Sequence, residues 1–327
     1  MINKLEITSK LEELESVLDS SIAILNLPGA NLCEKRSQLI DVDGSFEQAC
    51  KGCVTQRIKL GNRLTIPKIR GMIDFFVKTY GTRFITINGR GDPFHPILQE
   101  ETLEKISSAH EKGVQAYVFT AGNNLTQEIC DSLAEHEANV TISLFGNQFI
   151  DADFFYGREY TSNKGRFQNQ ARIAENLRRL IKTYARARKQ PAEGLTRLAM
   201  NYVISERDLL DETKIANIKQ AANKTGIAFV CNSDFELHPD RQTMEKLSKL
   251  SRKYADFNLP HSTFVIGKCQ MGAGSSATID FDGTLFRCPY LTDEGDGNIN
   301  FLTEEGLKKV VEGYMKDKKF TCTYRKT

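Results

Sequence analysis

The feature that most narrows the fold is a sixfold alternation of short apolar, β-rich segments with helical ones. Residues 22–27, 84–88, 116–120, 140–145, 198–204 and 227–231 read as strands. Between them, residues 66–80, 98–112, 125–136, 166–186 and 213–225 carry apolar side chains at i, i+3, i+4 and i+7, and 244–254 supplies a helix after the last strand. Connections this short between strand and helix call for a parallel sheet with right-handed crossovers, open and doubly wound or curled into a barrel. In either form, chemistry gathers beyond the carboxyl ends of the strands.

The unusual residues lie at those ends. NLPGANLCEK follows the first strand, GRGDPFHP the second, AGNN the third and CNSD the sixth. Gly, Asn and Pro directly after a strand are loop residues, and four such loops at one end of one sheet imply a lined pocket. The alternation stops near residue 258. Beyond it a Gly- and Asp-rich stretch holds short alternating segments, a hairpin signal at Asp282-Gly283 and a helix over 304–316. The chain therefore divides into a helix over 1–21, a core over 22–258 and a small domain over 259–327.

Charge and hydropathy exclude several classes. The 44 basic residues nearly balance the 42 acidic ones, for a net charge of +2, so no nucleic-acid partner is indicated. One basic stretch, 178–189, falls on a helical pattern and reads as a solvated face. No apolar run approaches the roughly 20 residues that span a bilayer. The amino terminus is an acid-studded amphipathic pattern and not a basic region before an apolar core, so no secretory leader is expected and the cytoplasm is the expected compartment. In that reducing setting the 8 cysteines point to metal or catalysis before disulfides.

Cys33, Cys50 and Cys53 form an early group after the first strand. Structural zinc generally takes four protein ligands, and a redox Cys-x-x-Cys needs no third thiol. A cubane iron–sulfur cluster on three thiolates leaves one iron able to bind a cofactor. With Gly89-Arg90-Gly91-Asp92-Pro93 after the second strand, these cysteines resemble the radical S-adenosylmethionine superfamily over roughly residues 22–235. That resemblance implies an α/β fold, a partial (βα)6 TIM-like barrel, with a [4Fe–4S] cluster on Cys33, Cys50 and Cys53. It implies S-adenosyl-L-methionine received at Gly89, Gly91 and Asp92, with Ser143 and Asn201 as further contacts. The family's usual cysteine spacing is three residues and then two. Here 16 residues separate Cys33 from Cys50, and Gly52 stands where many members have an aromatic residue.

Cys269, Cys288 and Cys322 form the late group, with Gly283 placed 13 residues after Cys269 and four before Cys288. The pattern resembles the twitch or SPASM extension of the same superfamily, a β-hairpin and helix carrying an auxiliary cluster, here a second [4Fe–4S] cluster with one ligand unassigned. The mechanism implied is reductive cleavage of S-adenosylmethionine to a 5′-deoxyadenosyl radical that abstracts hydrogen, fed by a one-electron donor of flavodoxin or ferredoxin type. With only 32 residues before Cys33, the substrate expected is a small molecule such as a sugar, aminocyclitol or nucleotide derivative, with peptide modification as the alternative. Cys231, ending the sixth strand, is open to three readings: hydrogen-atom donor of an epimerase, ligand of the auxiliary cluster, or packed apolar residue. Cys130 is read as core. A non-catalytic zinc or iron–sulfur protein is the rival from another class.

Overall fold

The computed structural model describes residues 21–30, 32, 62–88, 91–144, 165–187, 197–204, 206–233, 240–256, 274–288 and 295–317. In chain order the elements are β1 (Ile24–Asn26), α1 (Ile66–Tyr80), β2 (Phe84–Ile87), α2 (Gln99–Glu111), β3 (Gln115–Thr120), α3 (Gln127–Glu135), β4 (Asn139–Leu144), α4 (Gly165–Ala187) and β5 (Leu198–Ile204). There follow α5 (Glu206–Leu210), α6 (Thr213–Thr225), β6 (Ala228–Ser233), α7 (Arg241–Tyr254), β7 (Ser276–Ile279), β8 (Thr284–Phe286), β9 (Gly297–Asn298) and α8 (Glu304–Lys316). The α/β class and the six expected strand–helix alternations are observed.

Two compact units divide the described residues, one of 21–119 with 274–317 and one of 120–256. In the first, β1 pairs in parallel with β2, and β2 with β3. On its other edge β1 takes β7, also in parallel, with Ile24, Leu25 and Asn26 opposite Ser276, Ala277 and Thr278. The antiparallel ladder β7–β8–β9 continues the sheet. The carboxyl-terminal strands are thus bonded to the first strand of the chain. In the second unit β4 pairs in parallel with β5, and β5 with β6. The expected boundary near residue 258 falls outside the described residues.

Local chemistry explains the elements. In α1, Pro67 occupies the first turn, where a missing N–H costs nothing, and Gly81 ends the helix in the left-handed conformation. Between these signals Ile69, Met72, Ile73 and Phe76 are buried, at about 1.5–3 kcal/mol for each large side chain removed from water. Thr126 and Thr303 cap α3 and α8 by accepting backbone N–H groups of Ile129 and Gly306. In the hairpin, the Gly283 N–H donates to the Asp280 carbonyl at 2.9 Å, and Gly283 has φ of +87°.

A Cβ at Gly283 would also lie 2.8 Å from Ile299 Cγ1. Gly283→Val should therefore lower stability by about 2–4 kcal/mol, from backbone strain and overpacking together. The measurement is urea unfolding, with a lower midpoint and an unchanged slope. An unchanged midpoint would show that the turn does not need a glycine.

Candidate active site

The first site forms where the loops after β1 and β2 meet. Gly91 has φ of +61°, a conformation that strains any L side chain. It is pressed so closely to the chain after β1 that an added Cβ would collide with the Ala30 and Leu32 carbonyl oxygens and lie 2.7 Å from the Leu32 nitrogen. The next residue closes the joint, because the Asp92 N–H donates to the Leu32 carbonyl at 2.7 Å. Leu32 immediately precedes Cys33, so the glycine-rich loop is bonded to the backbone that delivers the first cysteine. The Asp92 side chain is buried and accepts the Phe94 N–H at 3.0 Å, which fixes the carboxylate over its own loop.

Helix α2 holds both loops from below. Thr102 Oγ1 donates to the Pro93 carbonyl at 2.6 Å. Lys105 Nζ reaches the Leu27 and Pro28 carbonyls at 3.3 and 3.4 Å and the Glu101 carboxylate at 2.6 Å. The Lys105 side chain is 3% exposed, so removing either partner would strand a buried charge, at a cost of about 3–5 kcal/mol. The sequence carries a trace of this pair: Lys105 interrupts the buried stripe Thr102, Ile106 and Ala109, with Glu101 one turn before it.

The segment holding Cys33, Cys50 and Cys53 is anchored at both ends. On entry, Ala30 and Leu32 pack with Leu98 and Phe281. On exit, the Leu64 N–H donates to the Phe281 carbonyl at 2.8 Å. The three cysteines themselves, with Gly89, lie outside the described residues.

A second convergence joins described residues near Cys288 in space and near Cys269 and Cys322 in sequence. Arg287, next to Cys288, donates to the Asp317 carboxylate at 2.9 Å and to the Asp317 carbonyl at 2.6 Å. Asp317 ends α8 and lies five residues before Cys322. Gly274, five residues after Cys269, has φ of +74°, and a Cβ there would run into the Tyr314 carbonyl and lie 2.9 Å from Met315 Cα. Three cysteine-bearing segments are therefore fastened at the carboxyl end of α8. Cys288 is buried; Cys269 and Cys322 lie outside the described residues. The Arg287–Asp317 clamp has no local sequence signal, because its partners are 30 residues apart.

In the second unit the strand registers sort the remaining candidates by face. Ser143 lies opposite Asn201, so the two share one face of the sheet. Tyr202 points the other way. Its hydroxyl donates to Asp208 on α5 at 2.9 Å, and Lys214 of α6 lies 5.5 Å from its ring centre. Cys231 is opposite Tyr202 and shares that helix-covered face. The thiol is fully buried and burial pushes its pKa upward. Cys231 is thus brought together with the helix layer, away from Asn201 and Ser143, a placement that matches packing among its three readings. Cys130, on α3, is also fully buried, and its pKa is pushed up to about 12 by loss of solvent.

No protein-family profile and no curated protein sequence matches the chain. Solved structures do. A crystal structure of Streptococcus suis SuiB bound to precursor peptide SuiA matches with a TM-score of 0.63 and 12% identity, over 97% of this chain and 71% of that one. SuiB from the same organism bound to S-adenosylmethionine matches at 0.57 and 12%, over 95% and 67%. Native anSMEcpe with bound AdoMet and Cp18Cys peptide matches at 0.56 and 13%, over 90% and 83%. At these identities the likeness is one of fold.

Two tests follow from the geometry. Gly81 and Gly91 are both left-handed, but a Cβ at Gly81 meets nothing within 4 Å. Gly81→Ala should cost about 1 kcal/mol from backbone strain, and Gly91→Ala at least about 2 kcal/mol more; equal costs in urea unfolding would deny the joint between the loops. For the thiols, a raised folded pKa means that protonation favours the folded state. The stability they contribute is whole below the ordinary thiol pKa and is lost as pH rises from about 9 toward 12. Iodoacetamide at about pH 8 should leave Cys130 and Cys231 unlabelled in the folded protein and label both in urea, read by peptide mass spectrometry.

Proposed function

We propose that the chain is a radical S-adenosylmethionine enzyme. The observation that carries this reading is the backbone joint between Gly91-Asp92 and Ala30–Leu32, which couples the glycine-rich loop to the entry of the cysteine segment. Sharing a fold with SuiB and anSMEcpe, both solved with S-adenosylmethionine, supports it.

The residues suit the groups they would hold. Cys33, Cys50 and Cys53 would ligate the catalytic [4Fe–4S] cluster. Asp92 offers a buried carboxylate beyond the strand ends, the chemistry that receives a methionyl ammonium. Ser143 and Asn201 present a hydroxyl and an amide from one face, suited to ribose or carboxylate. Cys269, Cys288 and Cys322, carried by residues 259–327, would hold a second cluster. When bound, the catalytic cluster supplies one electron that cleaves S-adenosylmethionine and yields the 5′-deoxyadenosyl radical, which takes hydrogen from the substrate. The chain's own part is positioning: α2 fixes both loops through Thr102 and Lys105, and the Leu32–Asp92 bond keeps the cofactor-binding loop registered to the cysteine segment. Cys231, on the helix side, has no role in this scheme.

A peptide is the substrate class supported best, because SuiB was solved with precursor peptide SuiA and anSMEcpe with the Cp18Cys peptide. The small metabolite expected from the sequence is the second reading. A flavodoxin- or ferredoxin-type donor would supply the electron.

Anaerobic reconstitution should give brown protein with about eight irons per chain for two cubanes. Dithionite and S-adenosylmethionine should then yield 5′-deoxyadenosine, faster with a peptide library than with sugars, aminocyclitols or nucleotides. Cys33→Ala should abolish that product, and Asp92→Asn should raise the KM for S-adenosylmethionine by about tenfold, the loss of one charge-assisted bond. Colourless protein with stoichiometric zinc would overturn the reading.

A further inference from the structure

We propose that the cleft between α3 and α4 binds an extended acidic peptide segment. The cleft has a volume of about 310 Å³, and α4 supplies most of its wall. Arg178, Lys182 and Arg186 follow one another at successive turns of α4 and all line it. Among the described residues none of the three has a hydrogen-bond or ion-pair partner. Their neighbour Arg179 is already committed, donating to the Leu125 carbonyl and Asn176 Oδ1 at 2.7 Å each and to Glu175 at 3.2 Å. Gln127, on α3, is spanned between Thr183 at 3.0 Å and Asp131 at 2.8 Å, which holds the two helices together beside the cleft. The structure therefore offers a row of three uncommitted cations along a braced groove.

The spacing and the lining select the ligand. Four residues of helix rise about 6 Å, so the row spans roughly 12 Å in two equal steps. Side chains on one side of an extended peptide recur at about 6.6 Å, which matches carboxylates at alternate positions. A single nucleic-acid strand can present phosphates at a similar step, but it is commonly gripped by stacking on aromatic side chains. Among the described residues no aromatic side chain lines this cleft, and Glu175 on its wall disfavours a dense polyanion. The proposal does not depend on the cluster-based reading above, since none of its residues belongs to the cysteine or glycine-rich segments.

The test uses the full chain and a fluorescein-labelled peptide of about eight residues with Glu and Ser alternating, followed by fluorescence anisotropy. Binding should weaken at least about eightfold in the triple variant Arg178→Glu, Lys182→Glu, Arg186→Glu, the product of three surface charge reversals of about two- to fivefold each. The matching Gln–Ser peptide should bind at least tenfold more weakly, and salt raised from about 25 to about 300 mM should weaken the complex through screening. Circular dichroism checks that the variants keep their helices, and the triple Gln variant gives an intermediate affinity. Equal binding by wild type and the triple Glu variant, or by the Glu and Gln peptides, would overturn the proposal. So would an oligothymidylate of similar length that displaces the probe at lower concentration than unlabelled acidic peptide, which would assign the cleft to nucleic acid.

Discussion

One side chain, Phe281, ties together parts of the chain that the sequence keeps far apart. It sits in the β7–β8 turn, 2% exposed, and packs with Ala30, Leu98 and Leu32 while its carbonyl accepts the Leu64 N–H. Its position depends in turn on the pairing of β7 with β1, which places residues 276–278 beside residues 24–26. Asn26 reinforces that pairing. Its side chain donates to the Ala277 carbonyl and to Thr278 Oγ1 at 3.2 Å each, and accepts from the Thr86 hydroxyl on the opposite neighbour. A buried amide with both its N–H donors and its oxygen engaged is a register lock, because a slip of one residue would leave it unsatisfied.

That arrangement gives the two cysteine groups a common frame. Leu32 and Leu64, the described residues flanking the early group, both meet Phe281, and Arg287 and Gly274 meet the end of α8 within the same compact unit. The anchors are of different kinds. Around the early group they are backbone hydrogen bonds and a glycine with no room for a side chain, which fix position and tolerate little substitution. Near Cys288 the clamp is Arg287, which donates to both the carboxylate and the backbone carbonyl of Asp317. Such charge-assisted bonds are strong when desolvated, and the Arg287 side chain is 7% exposed.

Much of the fold was legible because local signals agreed. The helix over 66–80 carries its own start in Pro67 and its own stop in Gly81, and the helix over 213–225 stops at Gly226, also left-handed. Several strand ends differ by one or two residues, as at Gln115 and Asn139, because a strand ends where its neighbour stops pairing and not where its apolar run stops. Helix α5 went unforeseen, being five residues long and too short to show a period. The parallel pairing of β7 with β1 was equally invisible: it joins residues some 250 positions apart, and nothing in SATI names its partner. At the site, Gly91 and Asp92 could be read from their place after a strand. Leu32, Leu64 and Phe281 could not, since their part is to touch one another across the fold.

The irregular spacing of Cys33, Cys50 and Cys53 loses much of its weight in this light. Lengthening the segment between two ligands from three residues to 16 adds only about 1.5 kcal/mol of loop-closure entropy, since the cost grows with the logarithm of length. The estimate assumes a free chain. Here both ends of the segment are already held, by the Asp92–Leu32 and Leu64–Phe281 hydrogen bonds, so part of that entropy is removed when the unit folds, before any ligand is bound. An insertion between Cys33 and Cys50 is therefore a small perturbation on a fixed frame. What the frame must preserve is the approach of Leu32 to the glycine-rich loop, and Gly91 and Asp92 make that approach through a close backbone contact and a hydrogen bond.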